Sequence, residues 1–533
     1  MVQTKGSHPT ARTGSEDQTS KSGGAALALK DGRLARCIRD IDSSDRRLQI
    51  ALFALMVLSY GILLAISLRM ARTDLMRLTF NSMLDHLLHG RFDVDPRIVG
   101  YEGYPFNGRV YAYWGIFPAL LRFPLWLVGR LDLDITVWSC LAAVCLAAMA
   151  KVRAVLVVRK HALQNRAADW AIGLMLVYIL LGGSEVGYLR ISIYQEVILW
   201  AAAFGAVFVY FAIKGLVNRE FDTKALCAMA FCAGCSLLTR VSSGVGLVIA
   251  FALLLIFVAV APGAGNDAQH QAILWSFARS FTERRILLPL GILSLLLAAA
   301  GTVNYCRWGS SFTFVRYSEF CEGCTDKVAQ VLTSGLYDLK RIPFGLVYYF
   351  FPVWVLHGRN GELFFEKTQT QWFGGIEMPP SSFLLTDLLP LCFIAFLVMA
   401  LWMRRGGGTP PVRQWAAAVA IGLLVPCALM LALVWMAYRY RMEFYPEIDF
   451  LALMGLYFTV TDRNLLTKFA RLRRWMTAAL AVSVVSSFMA VALYDISNFG
   501  PSQEFLRSGV VQFYSQSVAE HYHNVMSRHF GVH

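Results

Sequence analysis

Acids, histidines and arginines that could do chemistry gather at a few places in this chain. The first run holds Asp74, then Asp85, His86 and His89, then Asp93 and Asp95. A carboxylate there can take the proton of a hydroxyl while a phosphate leaving group departs, which is general-base work. Asp74 in a first helical turn is equally favourable for dipole reasons alone. His86 and His89 lie three apart on one helical face, a spacing shared by ligand pairs and by solvated histidines. A second set is Arg190, Arg240, Arg307, Arg439 and Arg441, each beside an apolar stretch. There a guanidinium can grip a phosphate bidentately or snorkel to headgroups. Glu196 starts an apolar run, and a carboxylate inside a membrane marks function by default; Arg190 or a substrate hydroxyl is its expected partner. Glu447 and Asp449 are weaker candidates of the same kind.

The elements that must hold these side chains are helices in a bilayer. Of 533 residues 57% are hydrophobic and only 16% charged, with mean hydropathy +0.52. Soluble domains carry about 25% charged residues. The fold class is therefore an all-α integral membrane protein. The net charge of +14 sits in short loops beside apolar spans, a topogenic pattern and not a nucleic-acid footprint. No Gly-rich phosphate loop with its lysine is present, which disfavours an ATP-driven pump.

Eleven spans follow from hydropathy and charge: Leu48 to Leu68, Ile135 to Ala150, Trp170 to Gly183, Val197 to Ile213, Ala225 to Leu238, Val241 to Ala261, Ile286 to Val303, Leu388 to Met403, Trp415 to Ala437, Ile448 to Thr461 and Trp475 to Leu493. Residues 1–47, with nine Lys or Arg and no apolar run, read as a disordered cytoplasmic tail. The transmembrane domain is 48–493. Its long outer loops are 69–134 and 304–387, and 494–533 is an outer-face segment. Parity keeps Trp114 to Val128, broken by Pro118, Arg122 and Pro124, along the interface. Apolar residues between Met70 and Leu88 predict an amphipathic helix on or leading out of the bilayer. Cys306, Cys321 and Cys324 admit a disulfide, while zinc lacks a second ligand pair.

After the acids comes an aromatic stretch with Glu102 inside it, Gly100-Tyr101-Glu102-Gly103-Tyr104-Pro105-Phe106-Asn107-Gly108-Arg109-Val110-Tyr111, continuing to Gly115, Pro118, Arg122 and Pro124. Its rings suit stacking on a sugar or an interfacial aromatic belt. In this order, and with Arg190, Tyr194-Gln195-Glu196, Thr239-Arg240, Asn304 to Phe312 and Tyr438 to Pro446, the chain resembles bacterial polytopic glycosyltransferases of the GT-C superfamily, such as protein mannosyltransferases and lipid A aminoarabinose transferase. The likeness covers most of Leu48 to Leu493. It implies a GT-C-like fold with interfacial helices in the outer loops. It also implies transfer of a sugar from a polyprenyl-phosphate carrier to a glycan, lipid or protein acceptor, in a bacterial inner membrane.

By the same resemblance Asp74 matches the catalytic acid of the first loop, and Asp93 or Asp95 its second acidic site. Glu102, Arg190, Glu196, Arg240, Arg307, Arg439 and Arg441 become substrate-binding candidates. A divalent cation, Mg or Mn, is a candidate helper. Two departures stand out: Asp74-Leu75 replaces an Asp-Glu pair and Asp95-Pro96-Arg97 replaces a His-Pro-Pro stretch, so the acceptor does not carry over. The competing class is a multi-pass transporter or lipid flippase, which calls for internal repeats and midplane breaks that the chain does not show.

Overall fold

The computed structural model describes residues 50, 53–58, 60–61, 76–182, 191–260, 284–316, 331–352, 372–373, 375–377, 379–403 and 410–496. All structural statements below concern those residues, within the unit that begins at Leu52. Asp74, Arg190, Cys321 and Cys324 lie outside them, as do the tail, the C-terminal segment and most of the first span. Where that span is described it is helical, and the Tyr60 hydroxyl donates to the Ile179 carbonyl at 3.0 Å.

The long helices follow from uninterrupted apolar sequence, where an unpaired peptide group has no water to turn to. In chain order the elements are α1 (Thr79–Leu88), α2 (Pro96–Val99), β1 (Tyr104–Phe106), β2 (Arg109–Tyr111), α3 (Phe117–Leu120), α4 (Phe123–Leu127), α5 (Thr136–Lys160), α6 (Arg166–Leu181), α7 (Ile193–Asn218), α8 (Thr223–Leu237), α9 (Val241–Val260), α10 (Arg284–Trp308), α11 (Ile342–Phe350), β3 (Gly375–Ile376), α12 (Phe383–Thr386), α13 (Leu388–Met403), α14 (Pro410–Ala432), β4 (Trp435–Met436), α15 (Tyr445–Thr461) and α16 (Arg463–Ile496). Six are long and apolar enough to cross a membrane: α5, α7, α9, α10, α14 and α16. Each apolar stretch from Ile135 onward that was expected to span lies for most of its described length on a helix, but α6, α8, α13 and α15 have only 15 to 17 residues.

Polar residues set the starts. Asn165, Ser192 and Asp222 each accept a backbone N–H from the first turn of α6, α7 and α8, the N-cap arrangement. The main packing pairs are α5 with α7, α9 with α14, α13 with α15 and α8 with α10. The expected span Trp415 to Ala437 ends early. Its last residues leave the helix, and β4 pairs in parallel with β3, Trp435 opposite Gly375.

Two further expectations change. The helix within Met70 to Leu88 is no surface helix over its first half: Thr79 through Leu84 are buried, under Trp114, Ala119 and Ile193. The aromatic stretch is an antiparallel hairpin, Tyr104 opposite Tyr111, closed by Asn107 (φ 50°) and Gly108 (φ 73°). An Asn-Gly pair suits that turn because both residues tolerate positive φ. At Gly115 a β-carbon would sit 2.0 Å from the Leu238 carbonyl oxygen, and the next donor along, Phe117 N–H, bonds that same oxygen at 3.0 Å. The hairpin segment is thereby seated on the end of α8. Beyond it, Trp114 to Val128 contributes only the four and five residues of α3 and α4, too short to cross.

Candidate functional site

Beside the hairpin lies a cleft of about 370 Å³ lined by His86, Arg91, Asp93, Val94, Asp95, Pro96, Gly108, Arg109 and Val110. The last turn of α1 supplies His86. Gly90, at φ 71°, turns the chain so that Arg91 and Asp93 come back beneath it. Asp93 is buried and held by Arg91 through two bonds, Nε to Oδ1 at 3.1 Å and Nη2 to Oδ2 at 2.5 Å. Its Oδ1 also stands 3.4 Å from His86 Nδ1. Burial pushes the Asp93 carboxyl up, but the Arg91 bond, its own backbone N–H and the charges of His86 and Arg91 outweigh that and hold it below the usual carboxylate range. Asp95 caps α2, its Oδ1 accepting Arg97 N–H at 2.8 Å, while its own N–H donates to Ser82 Oγ at 2.9 Å. Both expected acids therefore line one cleft, each already engaged. His89 is exposed and turns to the Asp85 carbonyl, so the two histidines do not form a pair.

The five arginines, alike in sequence, part company in space. Arg441 is fully buried and bound to Asp387 at 2.8 Å, with the Thr386 and Tyr438 hydroxyls beside it. Arg240 is paired with buried Glu443 and lies over the Tyr440 ring. Arg439 meets Glu377 at 3.4 Å and covers the rings of Tyr194 and Tyr440. Glu102 is half-buried near Tyr113 and Tyr194, in the same aromatic group.

Arg307 is different. It is 3% exposed and faces no carboxylate among the described residues. Nη1 donates to the Trp114 carbonyl at 2.8 Å, Nη2 reaches only Met83 Sδ at 3.5 Å, and Nε has no partner. The neighbouring Trp308 indole N–H is also buried without an acceptor, in a ring cluster with Tyr104, Phe106 and Tyr111. Met83 and His86 are three apart on α1, so the residue that touches the buried guanidinium adjoins one that lines the acid cleft.

Arg190, the expected partner of Glu196, lies outside the described residues, and Glu196 has another partner. It is fully buried in a bidentate pair with Arg122, which also donates to the Pro118 carbonyl at 2.9 Å and lies over Phe80. Asp449 likewise pairs with Lys151 at 2.8 Å. Arg122, Asp387, Glu377 and Glu443 are the acids and bases that sequence reasoning passed over. Arg122 was visible by the same rule that singled out Glu196, a charge set in an apolar run. Among the described residues no three His, Cys, Asp or Glu converge as a metal site. With both Asp93 oxygens on Arg91 and Asp95 capping a helix, they do not offer Mg or Mn a ligand set.

By sequence, neither a family model nor a curated protein matches this chain. Among solved structures it is similar to the Archaeoglobus fulgidus oligosaccharyltransferase in the apo form, with TM-score 0.44 and 14% identity over 86% of this chain and 57% of that one. It is also similar to the archaeal oligosaccharyltransferase AglB in complex with an inhibitory peptide and a dolichol-phosphate (0.41, 12%, 86% and 57%) and to ArnT from Cupriavidus metallidurans bound to undecaprenyl phosphate (0.39, 14%, 83% and 76%). The chain spans a little over half the length of the oligosaccharyltransferase.

Proposed function

We propose that this protein is a membrane glycosyltransferase that moves a sugar from a polyprenyl-phosphate carrier to an acceptor hydroxyl. The observation that carries this is Arg307. A buried guanidinium without an acid costs several kcal/mol, and the cost is recovered when a ligand brings the negative charge. A phosphate fits, because it is an acceptor-only group that a planar guanidinium grips well. Dolichol phosphate and undecaprenyl phosphate, named for two of the similar structures, are of this chemical class.

In this reading the carrier's phosphate sits at Arg307 and the acceptor hydroxyl in the Asp93 cleft, with the sugar carbon between. Negative charge grows on the phosphate as it leaves, so a fixed cation there favours the transition state more than the ground state. The aromatic group of Tyr104, Tyr113 and Tyr194, with Glu102, offers ring faces and a hydrogen-bond acceptor to the sugar. Arg240 and Arg439, each with an acid of its own, border this space and bind the donor less directly. Asp74, the first-loop acid carried over from the family resemblance, belongs to the same proposed site. Eleven spans, a cytoplasmic N-terminus, a bacterial inner membrane and an outer-face site belong to the same proposal.

Full-length protein in detergent, supplied with a panel of polyprenyl-phosphate sugars, tests it. Transfer that falls steeply in Arg307→Ala and is partly restored in Arg307→Lys supports the enzyme. No transfer across the panel, together with gradient-dependent uptake into proteoliposomes, would instead identify a transporter.

A further inference from the structure

We infer that His86 is the group that takes the proton from the acceptor hydroxyl, oriented by Asp93. The assignment rests on the transferase reading and names a residue within its cleft. Three observations carry it. Asp93 and Asp95, the acids of the cleft, are both committed: one to Arg91 through both oxygens, the other to the first turn of α2. A carboxylate so bound is a poor base, because its lone pairs are already shared and its charge is stabilised.

His86 Nδ1 is buried, has no hydrogen bond, and stands 3.4 Å from Asp93 Oδ1. The side chain as a whole keeps 16% of its surface exposed, so the open part of the ring is the other edge, toward the cleft that it lines. Closing that 3.4 Å gap lets Nδ1–H donate to Asp93 Oδ1 and leaves Nε2 with the free lone pair, the arrangement in which a carboxylate fixes tautomer and orientation. Arg91 completes the support by pinning Asp93 itself.

The third observation is position. Met83, one turn earlier on the same face, touches Arg307. Neighbours three apart on a helix have Cβ atoms about 5–6 Å apart, so the residue that touches Arg307 adjoins the one that lines the cleft. In the step, the acceptor oxygen forms a bond to the anomeric carbon as the bond from that carbon to the phosphate oxygen breaks. The bonding pair leaves with the carrier phosphate at Arg307. The hydroxyl proton passes to His86 Nε2 and from there to water. The charged groups near the imidazole are Asp85 on α1, His89, Arg91, Asp93 and Asp95 after it, and Arg109 on the hairpin, with Arg307 against Met83.

The test uses the full chain in detergent, a panel of polyprenyl-phosphate hexoses as donors, and both water and an excess of octyl glycoside as acceptors. His86→Gln is expected to lower kcat by ~10² to 10⁴, with KM for the donor unchanged and the acidic limb of the pH profile gone. Asp93→Asn should lower kcat less and keep that limb. Melting temperature of each variant separates this from misfolding: His86→Asn and His86→Gln that melt like wild type yet share the kinetic loss support the role. If wild type turns over and His86→Gln stays within threefold of it, His86 is overturned as base while the transferase stands. The same holds if His86→Gln is slow but keeps the acidic limb. If wild type is inactive on the whole panel, the transferase and this assignment fall together.

Discussion

Two kinds of buried charge lie within this bundle. Around Asp387 the ledger is closed: Arg441, the Tyr178 and Thr386 hydroxyls and more distantly Tyr445 all converge on one carboxylate. Arg122 with Glu196 and Lys151 with Asp449 are similar. At Arg307 the ledger stays open, with a sulfur and a single carbonyl for company. A closed set holds helices in register, whereas an open one is expensive unless something arrives to close it. Burial alone therefore does not separate these arginines; the missing acidic partner does.

The contrast breaks most visibly at Asp387. Asp387→Ala takes the carboxylate from beside buried Arg441, an effect on the order of 3–5 kcal/mol. The expected outcome is a melting temperature in detergent well below wild type, and a protein that barely accumulates. Arg307→Met should do the reverse. Removing an unpaired buried cation leaves melting equal to wild type or higher, while transfer falls ~10² to 10³. Should Arg307→Met melt as poorly as Asp387→Ala, Arg307 belongs with the structural charges.

A smaller effect sharpens the cleft. The Asp93 carboxyl is held below its ordinary value near 3.9, so its pair with Arg91 contributes stability above that pH and loses it as pH falls through the lower folded value. Wild type should therefore out-melt Asp93→Asn by a constant margin from pH 7 to 5, and the margin should close below about pH 4. Smallest of all is the exposed pair of Arg130 and Asp132, where Asp132→Asn is expected to leave both melting and transfer unchanged.

How much of this was legible beforehand depends on the kind of information. Hydropathy located the helices, because an apolar run of sufficient length has few other fates in a bilayer. It missed the end of α14, where β4 leaves the helix to pair with β3, since that pairing joins residues sixty apart. The acids Asp93 and Asp95 were singled out and do line one cleft, but their engagement was not legible: Arg91 was never weighed, and His86 looked like any solvated histidine. The five arginines were indistinguishable, since pairing with Asp387, Glu443 or Glu377 is a tertiary matter that flanking sequence does not carry. Asp74 and Arg190 lie outside the described residues and remain proposals.

Gly115 bears on how such a chain can drift over generations. Its neighbour across the gap is a backbone carbonyl at the end of α8, with Thr239 and Arg240 following directly. A carbonyl cannot step aside as a side chain would, so even Gly115→Ala pushes the hairpin segment away from Arg240. In a deep mutational scan position 115 should read as intolerant to every replacement, with no gradient by size. The exposed tip residue Asn107, eight positions earlier, holds φ 50° and should instead show a gradient, accepting Gly or Asp more readily than β-branched residues.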